Sequence, residues 1–365
     1  MDWAKELEQN VTTVEELEEK LMFHFTEEEK EKLNEIIDTY PMSVTRFYLS
    51  LIDIRDEKDP IRRMCIPSIR ETDMKGSLDT SGESDNTVIT GLQHKYKQTA
   101  LILSTNQCAM YCRHCFRKRL VGQSSAEIIK HMDDIISYIK NQKEISNVLI
   151  SGGDSLLNTN STIKNYLDKL SAIDHLDFIR FGTRVPITFP MRIYEDYELL
   201  KLLREYNDKK KIYIITHFNH PNEMTESSHR AIKALIDCGI IIKNQTVLLK
   251  GVNDDSYILA ELIDKMTAWG IIPYYIFQCR PVAGVKNQFQ LPLIKGYKIV
   301  EEAKAKLNGQ GKCFRYVLSN KNGKIEILGI LKENMMLFKY HESKEESNYG
   351  RVFMKAVEND QCWID

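Results

Sequence analysis

The run NQCAMYCRHCFRKR carries three cysteines within eight residues, Cys108, Cys112 and Cys115, spaced C-x3-C-x2-C. Thiolates grouped this closely are ligands for zinc or for an iron–sulfur cluster. A structural zinc asks for four ligands, and the further donor inside the run, His114, is wedged between Cys112 and Cys115. A [4Fe–4S] cubane that only stores electrons takes a thiolate on each iron. Three thiolates leave one iron open, and an open position accepts an outside molecule, as at a catalytic metal. The spacing therefore predicts a cluster that binds its own reactant. A zinc site and three unrelated thiols are the competing readings.

Such a loop needs a frame. From residue 99 onward β-rich runs alternate with helical patterns: TALILS (99–104), NVLISG (147–152), FIRFGT (178–183), KIYIITH (211–217), NQTVLLK (244–250) and IPYYIFQ (272–278). Six β-α repeats predict a parallel sheet with right-handed crossovers, whose chemistry gathers at the carboxyl ends of the strands. The triad follows the first strand, and Ser151 to Asp154, Gly182 to Arg184, His217 and Cys279 to Arg280 follow later ones. Before the repeats, residues 1–60 read as helices interrupted at Pro41, and the Ser-, Asp- and Gly-rich run 71–90 reads as a surface connection. After about residue 310, CFRYVLSNKNGKIEILGI reads as a hairpin with an Asn-Gly turn, and MMLFKYHE and GRVFMKAV as a second pair. The expected organisation is a helical region and linker over 1–90, a barrel over 91–305, and a small β-rich appendage over 306–365.

Composition limits the partners. Among 365 residues the formal net charge is -2, which gives no pull toward nucleic acid or an anionic membrane. The opening MDWAKELEQNVTTVEELEEKL has neither the basic nor the apolar region of a signal peptide, and no apolar run reaches the roughly 18 residues of a membrane span. A cytoplasmic protein is expected. Cys65, Cys238, Cys279, Cys313 and Cys362 are scattered singly and read as buried small hydrophobes in a reducing compartment.

CAMYCRHCFRKR, SGGD (151–154), GTRVPITFPMRI (182–193), THFNHPNEMT (216–225), NQTVLLKGVND (244–254) and PYYIFQC (273–279) resemble successive motifs of the lysine 2,3-aminomutase family of radical S-adenosylmethionine (SAM) enzymes. YPMSVTRFYLSLID (40–53) and DPIRRMCIPS (59–68) resemble that family's N-terminal part. The resemblance implies an α/β fold, a partial (β/α)6 TIM-like radical SAM barrel with an N-terminal helical extension. It implies a [4Fe–4S] cluster on Cys108, Cys112 and Cys115 that cleaves SAM to a 5′-deoxyadenosyl radical, fed by an electron donor such as flavodoxin or ferredoxin. It also implies a SAM site of Ser151, Gly152, Gly153, Asp154, Arg184, His217 and Gln245, and a substrate carboxylate on Arg117. A Gly-rich turn after a strand lets backbone approach a ligand closely, and an Asp beside it can take an ammonium group.

The chain also departs from that family. The PGGGGK stretch that carries pyridoxal phosphate (PLP) is missing; Lys321 and Lys324 are the nearest substitutes and read as exposed turn lysines of the hairpin. Lys95 and Thr99 stand where two arginines grip the PLP phosphate, and Phe277 stands where a tyrosine is expected. Arg280 replaces the aspartate that receives the distal ammonium of lysine, so a carboxylate, phosphate or sulfonate fits better there. Asp255, Cys313 and Cys362 do not reproduce the family's zinc cysteines, so no zinc is expected. The reading is a radical SAM enzyme, isomerase class, that abstracts hydrogen from a small acidic substrate held by Arg117 and Arg280 without PLP. The alternatives are a PLP-dependent amino-acid 2,3-aminomutase, glutamate-like, using Lys324 or Lys321, and a non-catalytic iron–sulfur sensor. A homodimer is left open.

Overall fold

The computed structural model describes residues 3–22 and 24–364. After a short helix Trp3–Leu7 come helices Val14–Leu21 and Glu27–Thr39, each started by a capping box in which Thr13 or Thr26 exchanges hydrogen bonds with Glu16 or Glu29. Their apolar residues, Val14, Leu17 and Leu21 on one and Leu33 and Ile36 on the other, are buried. Short helices Arg46–Leu49 and Pro60–Cys65 follow, the second started by Asp59 with proline at its first turn.

A single open sheet of twelve strands runs in chain order. The strands are β1 (Thr87–Ile89), β2 (Leu92–Tyr96), β3 (Thr99–Thr105), β4 (Asn147–Gly152), β5 (Phe178–Gly182), β6 (Lys211–Thr216), β7 (Ile241–Leu248), β8 (Ile272–Gln278), β9 (Arg315–Ser319), β10 (Gly323–Lys332), β11 (Met335–Ser343) and β12 (Val352–Ala356). From β3 to β9 every neighbouring pair is parallel, and both flanks are antiparallel. This is the expected partial α/β barrel, with β3 to β8 as its six strands; β7 starts at Ile241, ahead of the expected 244.

Strand alternation sorts the side chains. Ile102, Ile150, Phe181 and Ile214 are fully buried beneath the crossover helices, while Leu101, Leu149, Ser151, Arg180 and Gly182 line a cavity on the other face. Helix Met132–Asn141 shows the outer packing, burying Ile135, Ile136 and Ile139; truncating any of them to Ala costs about 2–5 kcal/mol.

Two regions differ from the sequence reading. First, β9 is not the outer arm of an isolated hairpin. Helix Leu293–Lys306 works as one more crossover, and β9 joins β8 in parallel, with Tyr275 opposite Arg315, before turning antiparallel into β10. The sheet therefore continues unbroken across residue 306. Its reason is burial: Tyr316, Val317 and Leu318 are all buried, and only a strand covered on both faces hides them. Second, the polar run 71–90 is not a loose surface connection. Its residues 71–86 cross to the chain after β8, where Ser77 N donates to Pro281 O at 3.0 Å and Gly76, at φ +128°, lies so close to Pro281 that a Cβ would strike its carbonyl oxygen. Glu71 and Glu83 in this strap are 1% and 4% exposed. Neither is tolerable without cationic partners, and the cysteine loop provides them.

Candidate active site

A cavity of about 370 Å³ opens at the carboxyl ends of the parallel strands and reaches down their inner face. Cys108, Cys112 and Cys115 line its upper half, on the loop after β3. Burial pushes the Cys108 thiol well up and the Cys115 thiol up to about 12, each raised further by its cysteine neighbours. Thiols in that state bind nothing until a metal displaces their protons. Arg184 Nη1 donates to Cys112 Sγ at 2.7 Å, a charge-assisted contact that a thiolate would strengthen.

The same half collects the residues at the other strand ends. Ser151, Gly152, Gly153, Asp154, Arg184, His217 and Gln245 all line the cavity, as the resemblance implies. Gly152 has φ +111°, and a Cβ on it would fall inside the carbonyl oxygen of Thr105; one on Gly153 would fall inside that of Gln107. This is where the close approach of two backbones requires glycine. Asp154 also has a structural role. Its Oδ1 accepts from Thr183 Oγ1 at 2.5 Å and its Oδ2 from Arg184 N at 2.6 Å. The carboxylate thus also joins the β4 and β5 turns, with these bonds using only part of its accepting capacity. Burial raises its pKa despite those bonds.

Arg184 is the hub. Besides Cys112 it donates from Nε to His217 O at 3.1 Å, and its Nη2 pairs with Glu223, which also accepts from Tyr48 OH at 2.7 Å. His217 and His114 meet edge to face, 5.5 Å between centroids. Burial pushes the His217 pKa down to about 3 and that of His114 well below the ordinary value, so both rings are neutral. His217 Nε2 and His114 Nδ1 are buried without a hydrogen-bond partner. A neutral imidazole nitrogen left bare against the cavity fits a bound polar ligand.

The lower half is cationic. Lys95, Arg180, Arg280 and Lys324 line it, with Tyr96, Thr99, Tyr274, Tyr275, Phe277 and the carboxylates Glu83 and Glu342. Lys95 Nζ donates to the carbonyls of Ser81 at 3.1 Å and Asn320 at 2.6 Å. Burial, with Arg280 and Lys324 close by, pushes its pKa down to about 7. Arg180 Nη2 donates to Asn147 Oδ1 at 2.5 Å, and its Nε has no partner. Lys324 corrects the exposed-turn reading: the β10 register brings it under the barrel, where it pairs with Glu342 on β11 and lies 4.4 Å from the Tyr96 ring. Burial works against its charge, yet Tyr96 and Glu342 hold its pKa above the ordinary lysine value. Lys321 is exposed, as expected, and does not line the cavity.

The two arginines expected to grip the substrate already have partners. Arg117 Nε donates to Glu83 Oε1 at 2.7 Å, and Arg119 Nη2 to Glu83 Oε2 at 2.8 Å. Arg280 Nη1 donates to Ser81 Oγ, and burial lowers its pKa to about 10. Both guanidiniums lie against the Phe116 ring, 4.7 and 4.5 Å from its centroid. Glu71 serves the cysteine loop likewise, accepting from Arg113 Nε at 2.9 Å and pairing with Lys118. Burial would raise the pKa of both glutamates, but their cations hold each below the ordinary value. Glu71, Glu83, Arg180, Glu223 and Glu342 escaped the sequence reading. One signal was present: four cations inside RHCFRKR, beside a buried loop, demand acidic counterparts.

Residues 102–263 match the Radical SAM superfamily. With an open parallel barrel and a cysteine triad on the loop after its first strand, the protein is a radical SAM enzyme, a class that works with a [4Fe–4S] cluster and SAM. The chain is 37% identical over 348 residues to a putative L-lysine 2,3-aminomutase of Aquifex aeolicus, covering 95% of this chain and 92% of that protein. It is 39% identical over 314 residues to the L-lysine 2,3-aminomutase of Acetoanaerobium sticklandii, covering 84% and 73%. It is 35% identical over 313 residues to the glutamate 2,3-aminomutase of Clostridioides difficile, covering 84% and 72%. The chain belongs to the lysine 2,3-aminomutase family, within the isomerase class. No helix among the described residues is long and apolar enough to cross a membrane.

Proposed function

We propose that this enzyme starts radical chemistry on a small anionic substrate in the lower half of the cavity, without PLP. The cluster, when bound by Cys108, Cys112 and Cys115, supplies the electron that splits SAM into methionine and a 5′-deoxyadenosyl radical. The chain's own residues do the rest. Gly152 and Gly153 let the β4 turn lie against the cysteine loop, and Arg184 donates an N–H to Cys112 Sγ. His217, neutral and with Nε2 unengaged, and Gln245 face the same space. The observation that carries the substrate class is the gathering of Lys95, Arg180, Arg280 and Lys324 beneath the cysteines. Cations so placed in a restricted cavity attract carboxylate, phosphate or sulfonate and oppose an ammonium. Arg280, where a lysine-specific site needs an acid, has the wrong sign for the distal amine of lysine.

PLP fits these residues poorly. Lys321 is outside the cavity, and the Lys324 ammonium is held by Glu342 between Tyr96 and Tyr275, whereas imine formation needs a neutral amine. The second reading, a PLP-dependent aminomutase acting on a glutamate-like substrate, is favoured by one observation, that Lys324 does line the cavity. Anaerobic reconstitution with PLP, borohydride reduction and peptide mapping separate the two. No adduct on Lys324, together with 5′-deoxyadenosine formation stimulated by dicarboxylic or phosphorylated compounds, supports the proposal. A reduced PLP adduct on Lys324 overturns it.

A further inference from the structure

A second recess of about 330 Å³ lies behind the cysteine loop. Phe289 lines it, buried at 1% exposure, and meets the His114 ring edge-on at 6.0 Å between centroids. His114 stands between Cys112 and Cys115. Two rings therefore join the recess to the cysteine loop.

The walls are cationic. Arg63 and Arg70 line the recess, beside Arg62 and Ser68. The Arg63 guanidinium lies 6.0 Å from the Phe289 centroid, its Nη2 reaches the carbonyls of Lys250 and Gln288 at 3.3 and 3.5 Å, and its Nε has no partner. Burial and the neighbouring Arg70 lower the Arg63 pKa, and Asp254 works the other way. Of the acids in the lining, Glu29 is engaged in capping its own helix, and Glu57 is exposed at the rim. One guanidinium beside a buried ring, with further arginines in the same lining, fits an acidic partner.

The chemistry proposed above needs one electron per SAM cleaved, and electron transfer weakens steeply with distance. On the cavity side that approach is taken up by SAM and substrate. The recess offers a separate approach, through Phe289 and His114, and its lining carries three arginines against two glutamates. We propose that it is the docking site of the electron donor, a small acidic flavoprotein. Carboxylates of the donor pair with Arg63 and Arg70, and its redox group faces Phe289. One electron leaves the donor, which is oxidised by one equivalent, and enters the cluster, which is reduced by one. This inference rests on the radical reading.

Flavodoxin serves as the probe, against reconstituted holoenzyme at low salt. The dissociation constant from surface plasmon resonance and the donor KM for SAM cleavage with flavodoxin and its reductase are both measured. Arg70→Glu raises both on the order of fivefold, and Glu57→Lys lowers both; the differences shrink as salt shortens the Debye length to about 8 Å. SAM cleavage driven by dithionite, which needs no docking, is unchanged in both variants. Unaltered flavodoxin binding and donor KM in the two variants overturn the assignment, as does an equal fall in dithionite-driven cleavage. Wild-type enzyme that cleaves SAM with neither reductant refutes the radical reading itself.

Discussion

Removing the Glu83 side chain tests how much one of the strap's two buried glutamates contributes to holding the cysteine loop. Glu83 accepts from Arg117 at 2.7 Å and Arg119 at 2.8 Å, and its side chain is 6% exposed. At an effective dielectric of about 20, a 2.7 Å pair gains roughly 6 kcal/mol of Coulomb attraction, most of it offset by desolvating the charges. Glu83→Ala keeps that desolvation cost for Arg117 and loses the attraction, so about 3–5 kcal/mol of stability goes. At about 2.1 cal/mol/K of unfolding entropy per residue, a 365-residue chain unfolding as one unit loses roughly 4–6 °C in Tm. The variant also leaves a carboxylate-sized hole facing two guanidiniums. Acetate at about ten times its dissociation constant should therefore return roughly 1.4 kcal/mol, or about 2 °C. Calorimetry in acetate and in isosteric, neutral acetamide reads this directly. A variant as stable as wild type, or one that responds equally to both compounds, refutes the reasoning.

Three further outcomes are expected. Cys112→Ala should lose both bound iron and 5′-deoxyadenosine formation after anaerobic reconstitution; retained SAM cleavage would reject Cys112 as a ligand. Gly152→Ala places a Cβ at φ +111° against Thr105, so urea unfolding should show a loss on the order of 2 kcal/mol or more; an unchanged midpoint would mean the two backbones part easily. Lys95, with a folded pKa near 7 below its unfolded value, binds fewer protons folded than unfolded between about pH 7 and 10. The cost of burying its charge, set by burial, Arg280, Lys324 and Lys344 against Asp79, is full below that window and disappears above it. Wild type should therefore gain on Lys95→Met by up to about 1.4 kcal/mol per pH unit through the window, and parallel profiles would exclude the shift.

The sequence showed the barrel because its information is local. Each of β3 to β8 is a short β-rich run next to a helical pattern, and the cysteine triad, SGGD and His217 fall at strand ends whatever happens elsewhere. What it hid depends on partners distant along the chain. Glu71 and Glu83 sit in a run whose composition says loop, and their burial is decided by Arg113, Arg117, Lys118 and Arg119, more than thirty residues on. The Asn-Gly turn beside Lys324 points to an exposed tip, but its direction follows from β9 entering the parallel sheet, which turns the hairpin beneath the cavity. The resemblance implies a substrate role for Arg117; the ion pair it makes with the strap is a property of the assembled site.

The sheet is laid down in chain order, each strand beside its predecessor, so a growing polypeptide can extend it from one end as it is made. The strap is different: its bonds to the chain after β8 include Ser81 to Arg280, 199 residues apart, and Asp73 to Asn287, 214 apart. Closing so long a loop carries a large entropic cost until nearly the whole barrel stands. The strap's long-range bonds to the chain after β8 are thus expected to lock after the strands that lie between them in sequence. Pulse-labelled hydrogen exchange during refolding should find the amide of Ser77, bonded to Pro281 O, protected after those of β4 and β5; simultaneous protection would contradict that order.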